Sequence, residues 1–258
     1  MWTILNAGSN SHGWLIAVGG HLLAGFCDAI AGGGGIIGLP ALLLAGLPPH
    51  LALGTNKLSS TIGTALTTLR LMRVVRVRRS TLIVAIPIAM VASTAGAMWV
   101  AIWTPKMVKM AMTLVLPIML ILLVWHQIRT ESPPVGQSHP AMLSGVSMGS
   151  GLYDGILGPG VGTMLLMGFH RVLGQSWLLA SAHAKCVNLS TNMMALVVFF
   201  ANGVVSVKWG IMCAVANGVG GWVGIRLVLR YGDQLIKKLI PIMLSAAIAT
   251  LLYHVGWG

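Results

Sequence analysis

Ten apolar runs divide this chain of 258 residues, and they constrain its fold more than any other feature. A membrane-spanning helix needs roughly 20 apolar residues, and most of the runs approach or exceed that length. Only 8% of the residues are charged, whereas a soluble domain has about 25%. This excludes an ordinary soluble enzyme, a disordered chain and a coiled coil, and it predicts an all-α polytopic membrane protein. The runs cover 13–31, 35–47, 51–71, 81–103, 107–126, 141–157, 160–173, 177–202, 207–229 and 235–256, which gives about eight to ten hydrophobic segments.

Basic residues set the predicted orientation. The chain has 16 Lys and Arg but only 4 Asp and Glu, and short loops rich in Lys and Arg stay cytoplasmic. Two loops hold most of the basic residues, namely Arg70, Arg73, Arg76, Arg78 and Arg79 in one and Arg226, Arg230, Lys237 and Lys238 in the other. With both loops inside, run 51–71 goes from outside to inside and run 177–202 goes the opposite way. Both chain termini then lie on the outer, periplasmic face of the inner membrane.

The net charge of +12 would suggest a nucleic-acid partner in a soluble chain. With this hydropathy, basic loops beside a lipid bilayer explain the charge, and we predict no nucleic-acid partner. The longest polar stretch, 127–140, contains three prolines and two serines. We predict that it is a cytoplasmic linker between a first membrane repeat at 1–126 and a second at 141–258.

The two halves carry the same motif. Residues 25–30 read GFCDAI and residues 151–156 read GLYDGI, and glycines follow each stretch at the same offset. A helix carrying a single lysine, Lys57 or Lys185, comes next in each half. Because the predicted orientations are opposite, the halves are predicted to be inverted repeats with glycine-broken helices. In transporters of this architecture the substrate site lies near the midplane, at the interface of the repeats.

Two acidic residues fall at membrane depth, Asp28 and Asp154. An ionised group there is costly, and it usually faces a cavity or a partner. The glycine breaks include Gly33, Gly34 and Gly160, where a helix restarting after the break points its positive dipole end into the protein. The alternatives are structural, with each aspartate serving as a salt bridge or helix cap and each break as a kink or a close helix contact.

The lysines are isolated cations in otherwise apolar helices, surrounded by small polar residues. Ammonium groups, amides and hydroxyls near a helix N-terminus suit a small oxyanion and repel a metal cation. The predicted substrate-binding residues are Lys57, Lys185, Asn56, Thr55, Asn188, Asn192, Gly33, Gly34 and Gly160, with Asp28 and Asp154 as a coupling group or structural ion pair. In the structural alternative, each lysine pairs with the aspartate of its own repeat. Both arrangements are compatible if the substrate competes for the lysine.

Motifs for other chemistry are missing from the sequence. The eight histidines and 16 methionines show no HxxxH, CxxC or Met-triplet spacing, and no nucleophile elbow, P-loop or zinc-protease motif occurs. We therefore expect no metal, no cofactor and no enzymatic activity. A homodimer is compatible with such a small fold, but no feature of the sequence indicates one.

At these residues the chain resembles the sulfite exporter TauE/SafE family of small membrane permeases. The resemblance rests on GFCDAIAGGGG at 25–35 and on 40–57, which ends in ALGTNK. The second half adds YDGILGPG at 153–160 and ASAHAK at 180–185, followed by Asn188, Thr191 and Asn192. The family often has Ser where Thr191 stands, and threonine keeps the hydroxyl. The similarity spans nearly the whole chain.

The resemblance implies a secondary transporter that exports sulfite, a sulfonate or a related sulfur-containing anion by alternating access. A cation-coupled or channel-like permease, with the aspartates facing the pathway, remains an alternative, as does a membrane scaffold without transport. From the residues we expect that replacing Lys57 or Lys185 with alanine abolishes anion uptake while leaving the fold intact.

Overall fold

The computed structural model describes residues 11–128 and 140–239, and this part of the chain is helical without strands. Nine helices lie within it, and the chain is helical again from 233 to 239, where the described part ends. The helices are α1 (Ser11–Ala31), α2 (Gly35–Leu44), α3 (Pro49–Met72), α4 (Arg79–Ala101), α5 (Pro105–Ile128), α6 (Pro140–Ile156), α7 (Val161–Leu173), α8 (Trp177–Ala201) and α9 (Val207–Tyr231).

Four of the described helices are long and apolar enough to cross a membrane, namely α1, α4, α8 and α9. This confirms the prediction of an all-α polytopic membrane protein. Helix α3 has similar length but carries buried polar side chains along its interior face. Helices α2 and α7 are apolar but have only 10 and 13 residues. At about 1.5 Å per residue they cannot cross a hydrocarbon core of roughly 30 Å.

Glycines produce the two helix breaks. Between α1 and α2, Gly32 has a φ of +76°, and between α6 and α7, Gly158 and Gly160 have φ values of +90° and +85°. Residues with a Cβ atom rarely adopt this left-handed region. The backbones of Gly32 and Gly162 also touch so closely that a Cβ on either would overlap the other. The breaks therefore lie against each other in the middle of the molecule.

The fourth helix of each half packs against the opposite half. Helix α9 lies on α1 and α3, and α4 lies on α6 and α8. We call α1, α2, α3 and α9 the first bundle, and α4, α6, α7 and α8 the second bundle. Glycines permit the close crossings, since a Cβ on Gly25 would overlap the Asn217 carbonyl and one on Gly155 would overlap the Ser93 carbonyl.

Helices α3 and α8 form the main contact between the bundles and run antiparallel. Lys57, near the start of α3, contacts Asn192, whereas Met72 at the end of α3 contacts Cys186, which is closer to the start of α8. Antiparallel α3 and α8 are what inverted repeats require. The inverted relation of the complete halves remains a prediction that this contact supports.

Both basic clusters lie at the same end of the molecule. The loop that follows α3 and the chain that follows α9 share one apolar cluster, which includes Leu71, Val77, Ile225 and Ile236. At this end Asp233 also accepts hydrogen bonds from the first two N–H groups of α8, an arrangement that stabilises a helix N-terminus. The positive-inside rule requires both basic clusters on one side of the membrane. Which side that is remains a prediction.

Some element boundaries differ from the predicted ones. Helix α2 ends at Leu44 rather than 47 because the chain turns at Gly46, which has a φ of +91°. Helix α3 begins at Pro49 rather than 51, since proline is well suited to the first turn. The predicted linker 127–140 is shortened at both ends by α5 and α6, and 129–139 falls outside the described residues. The predicted run 235–256 is described only as far as 239.

Candidate functional site

A small polar cavity lies where the helix breaks of both halves meet α3 and α8. Its walls come from the first bundle (α1, α2 and α3) and from the second (α6, α7 and α8). The lining residues are mainly polar side chains and glycines, namely Asp28, Gly32, Gly35, Asn56, Lys57, Ser60, Thr64, Asp154, Gly158, Gly160, Val161, Asn188 and Asn192. The cavity therefore lies on the interface between the bundles.

Lys57 lies at the centre of one polar network. Its ammonium group donates to Asp154 Oδ1 at 2.6 Å and to Asn192 Oδ1 at 3.0 Å. The Asn192 amide in turn donates to both the side-chain and the main-chain oxygen of Asn188, which fixes the orientation of the two amides. An ammonium group has three N–H donors. Among the described residues two are occupied, so one donor of Lys57 remains for a ligand.

Lys185 belongs to α8, and its ammonium group lies at the C-terminal end of α1. Its ammonium group donates to the main-chain oxygen of Asp28 at 2.6 Å and to Asp28 Oδ2 at 3.3 Å. The Thr64 hydroxyl donates to the same carboxylate oxygen, and Thr163 donates to the main-chain oxygen of Ala31. The last turn of a helix carries the negative end of its dipole, so an ammonium group there is stabilised by both the carboxylate and the helix.

Each lysine pairs with the aspartate of the opposite half. Lys57 is in the first half and Asp154 in the second, whereas Lys185 is in the second and Asp28 in the first. The alternative in which each lysine pairs within its own repeat is therefore wrong. The breaks of the two halves contact each other, which brings each aspartate next to the lysine helix of the opposite half. Both ion pairs consequently join the two bundles.

The two ion pairs are not equivalent. The Asp154 side chain is 1% exposed, and its Oδ2 has no hydrogen-bond partner among the described residues. The Asp28 side chain is 11% exposed, and its Oδ2 receives both Lys185 and Thr64. A buried oxygen without a partner is rare and calls for a ligand, a water or a proton. Of the two carboxylates, Asp154 is thus the one with a fully buried oxygen that lacks a partner among the described residues.

Both short helices direct their N-termini at the cavity. Gly35 begins α2, Val161 begins α7, and both residues line the cavity. The residues before them are glycines, which provide no side chain to accept hydrogen bonds from the first N–H groups. The N–H groups of Ile36, Ile37 and Val161 already donate to glycine carbonyls of the breaks. Each helix N-terminus still carries the positive end of its dipole, which favours an anion. This environment opposes a second cation next to Lys57.

The cavity is narrow. It offers about 20 Å³ to the centres of water-sized molecules, which is room for about one water. An oxyanion with several heavy atoms does not fit into it. Binding of such an anion would need a wider cavity than this one.

Comparison with known protein families gives one match that covers the cavity. Residues 16–251 match the family model described as sulfite exporter TauE/SafE. The chain belongs to this family. Both helix breaks, both ion pairs and the whole cavity fall inside the matched residues.

Curated relatives of this family member are named as membrane transporters. A "probable membrane transporter protein" of Haemophilus influenzae is 32% identical over 91% of this chain and 92% of its own. The "probable membrane transporter protein ORF9" of a Sinorhizobium species is 35% identical over 88% and 87%. The "probable membrane transporter protein YfcA" of Escherichia coli K12 is 33% identical over 90% and 87%. No solved structure matches the chain.

The structure brings most of the predicted site residues of this family member together. Asn56, Lys57, Asn188, Asn192 and Gly160 line the cavity together with both aspartates. Lys185 lies behind Asp28 and reaches the cavity only through that residue. Gly33 and Gly34 are outside the lining and permit close packing, since a Cβ on Gly34 would lie 2.5 Å from the Ala24 carbonyl oxygen.

Several lining residues were not among the predicted binding set. Ser60 and Thr64 follow Lys57 by three and seven residues, which places them on the same helix face. That spacing was visible in the sequence. Gly32, Gly35 and Gly158 belong to the predicted breaks, but only the backbone geometry distinguishes them from the neighbouring glycines that pack elsewhere.

Thr55 makes a hydrogen bond to another helix instead of lining the cavity. Its substitution should therefore affect stability, whereas substitution of Asn188 should affect substrate binding. The Thr55 hydroxyl oxygen accepts a hydrogen bond from the Ser206 main-chain N–H at 3.0 Å, at the start of α9. We expect Thr55→Val to lower the free energy of unfolding by about 1 kcal/mol, the usual effect of one lost hydrogen bond. The KM for a transported anion should stay unchanged, whereas Asn188→Ala should raise it. An increase in KM for Thr55→Val would return this residue to the binding site.

Proposed function

We propose that this protein is a secondary transporter that exports a small sulfur-containing oxyanion or sulfonate across the inner membrane. The observation that carries the proposal is that each lysine forms an ion pair with the aspartate of the opposite half. These pairs lie at a cavity to which two helix N-termini contribute. The name of the family supports the choice of substrate class. The printed names of the relatives support transport without specifying a substrate.

The anion would bind to donors that the protein already holds in place. Lys57 contributes its remaining N–H and Asn188 its amide Nδ2, since the Asn188 Oδ1 already accepts from Asn192. The N-termini of α2 and α7 add positive potential from both sides. These groups accommodate the oxygens of a sulfite or sulfonate group.

Alternating access would follow from the position of the ion pairs. Lys57–Asp154 and Lys185–Asp28 both connect the first bundle to the second. An anion that competes with Asp154 for Lys57 weakens one of these connections, which allows the bundles to rock about the α3–α8 contact. Transporters built from inverted repeats open and close around a fixed central site in this way.

The aspartates would balance the charge of the site. Two lysines and two aspartates sum to zero, so an added anion leaves a net negative charge in a region of low dielectric. A proton on Asp154 Oδ2, the buried oxygen without a partner among the described residues, would remove one unit of that charge and fully balance a monoanion. Asp154 is therefore the proposed coupling group, and Asp28 the proposed structural partner of Lys185.

A cation-coupled or channel-like permease is the second candidate, and one observation favours it. Both aspartates line the cavity directly, whereas Lys185 reaches it only through Asp28. In such a permease the carboxylates, rather than the lysines, would contact the transported solute.

A panel of anions distinguishes these functions. The purified full chain is first screened for thermal stabilisation by sulfite, thiosulfate, sulfate and a short alkyl sulfonate. A ligand at one hundred times its Kd stabilises the folded state by about 2.7 kcal/mol. Anions that stabilise the protein are then tested for saturable uptake into proteoliposomes. We expect at least one of the four to pass both tests. Cation uptake without any anion binding would overturn the proposal in favour of the permease.

A further inference from the structure

A second cavity lies on the outer surface between α3 and α9. It is a groove with a volume of about 600 Å³, compared with about 20 Å³ for the central cavity. Small residues of α9, Ala214 and Gly218, form its floor, and its walls are almost entirely apolar. Leu66 and Val215 border it and are more than half exposed. The groove faces the surroundings of the protein, which are the bilayer.

Two arginines lie at one end of this groove, where Arg70 lines it and Arg226 lies next to the lining residue Trp222. Arg70 from α3 and Arg226 from α9 both lie over the indole ring of Trp222, at 5.6 and 3.4 Å from its centre. The central carbons of the two guanidinium groups are therefore at most about 9 Å apart. Neither contacts an acidic side chain in the described part of the chain. Two positive charges on one indole ring, without a carboxylate beside either among the described residues, make this end of the groove electropositive, which favours an anion.

The length of the groove matches one leaflet of the bilayer. On α3 its lining extends from Ile62 to Arg70, which is about 12 Å along the helix, and on α9 from Ile211 to Ile225, which is about 21 Å. Half of the hydrocarbon core is about 15 Å. Trp222 marks the interface, where tryptophan side chains concentrate. The arginine end is also the end where both basic clusters lie.

We propose that this groove, which we call the lipid groove, binds an anionic phospholipid of the cytoplasmic leaflet. An acyl chain lies between Leu66 and Val215, and the phosphate lies between Arg70 and Arg226. Anionic lipids concentrate in that leaflet and attract arginines close to the surface. The site is separate from the central cavity and does not depend on which solute is transported.

A second copy of the chain fits the lipid groove less well. Two copies inserted in the same direction and related by a twofold axis would bring their arginine ends to the same depth. Arg70 and Arg226 of each copy would then face like charges. An anionic phospholipid supplies both the apolar chain and the opposite charge.

Competition between two lipids tests the proposal. The purified full chain is mixed with equal amounts of phosphatidylglycerol and phosphatidylcholine that have the same acyl chains, and native mass spectrometry measures the retained lipid. Each arginine near an anionic membrane surface contributes about 1 kcal/mol. Two arginines therefore predict that phosphatidylglycerol is retained roughly thirtyfold more than phosphatidylcholine. In Arg70→Gln/Arg226→Gln this preference should disappear, and Arg70→Lys/Arg226→Lys should retain most of it.

A matched control removes the same charge elsewhere. Arg76 and Arg79 are exposed in the basic loop that follows Arg70, but neither lines the groove nor lies over Trp222. Arg76→Gln/Arg79→Gln should keep the lipid preference. A preference that survives in Arg70→Gln/Arg226→Gln, or that is lost equally in the control, would overturn the proposal. Efficient disulfide formation between two Val215→Cys chains in membranes would also overturn it, because a second copy would then occupy the groove.

Discussion

Lys57→Met is expected to lower the free energy of unfolding by about 3–5 kcal/mol, the usual cost of removing one partner from a buried ion pair. The substitution leaves the Asp154 carboxylate buried and without its donor at 2.6 Å. This changes the expectation drawn from sequence, in which replacement of Lys57 leaves the fold intact. Asp154→Asn added to Lys57→Met should restore most of the stability, because the uncompensated charge is then gone. Denaturant titration of all three variants in the same detergent measures the effect.

An exposed lysine provides the control for this prediction. Lys109 on α5 is exposed, and Lys109→Met should change the free energy of unfolding by less than about 0.5 kcal/mol. If Lys57→Met is as mild as Lys109→Met, the ion pair does not stabilise the fold. If the double variant is as unstable as Lys57→Met, the loss comes from packing of the lysine chain rather than from the charge.

Gly158→Ala is expected to disrupt the same ion pair from the other side. Gly158 has a φ of +90°, and a Cβ atom there would lie 2.7 Å from Lys57 Nζ and 3.0 Å from Asp154 Oδ1. The backbone conformation alone costs about 1–3 kcal/mol for a residue other than glycine. We expect a lower melting temperature and a large loss of anion uptake, measured on the same preparation.

Gly149→Ala is the matched control on the preceding helix. A Cβ at Gly149 meets no atom within 4 Å, and the residue lies inside α6. Alanine in a helix interior is more favourable than glycine by about 0.5–1 kcal/mol, so this variant should be at least as stable as the parent. Normal uptake by Gly158→Ala would show that the backbone at this break can shift without affecting transport.

Sequence alone predicted the helices and their breaks because hydropathy and glycine report directly on local structure. The apolar runs correspond to the described helices, and the glycine stretches mark the ends of α1 and α6. The positions of Lys57, Asn188 and Asn192 on interior helix faces follow from their spacing. These features depend on residues close to one another in the chain.

Sequence could not predict which residues meet across the two halves. The alignment of the repeats suggests that Lys57 belongs with Asp28, but the contact between the breaks places it at Asp154. Thr55 appeared to be a binding residue because it is polar and near Lys57, although it faces Ser206 at the start of α9. Both outcomes depend on helix packing that residue spacing does not encode.

Anion binding by the Lys57→Met/Asp154→Asn double variant tests most directly whether Lys57 binds the transported anion. The variant keeps the site neutral and should be folded, so stability and transport are separated. We predict that the Kd for the transported anion rises at least roughly thirtyfold, since losing a buried charged contact costs about 2–5 kcal/mol, and that uptake falls with it. Lys109→Met should transport normally in parallel proteoliposomes. Uptake by the double variant at the level of the parent would contradict a role for Lys57 in binding the anion.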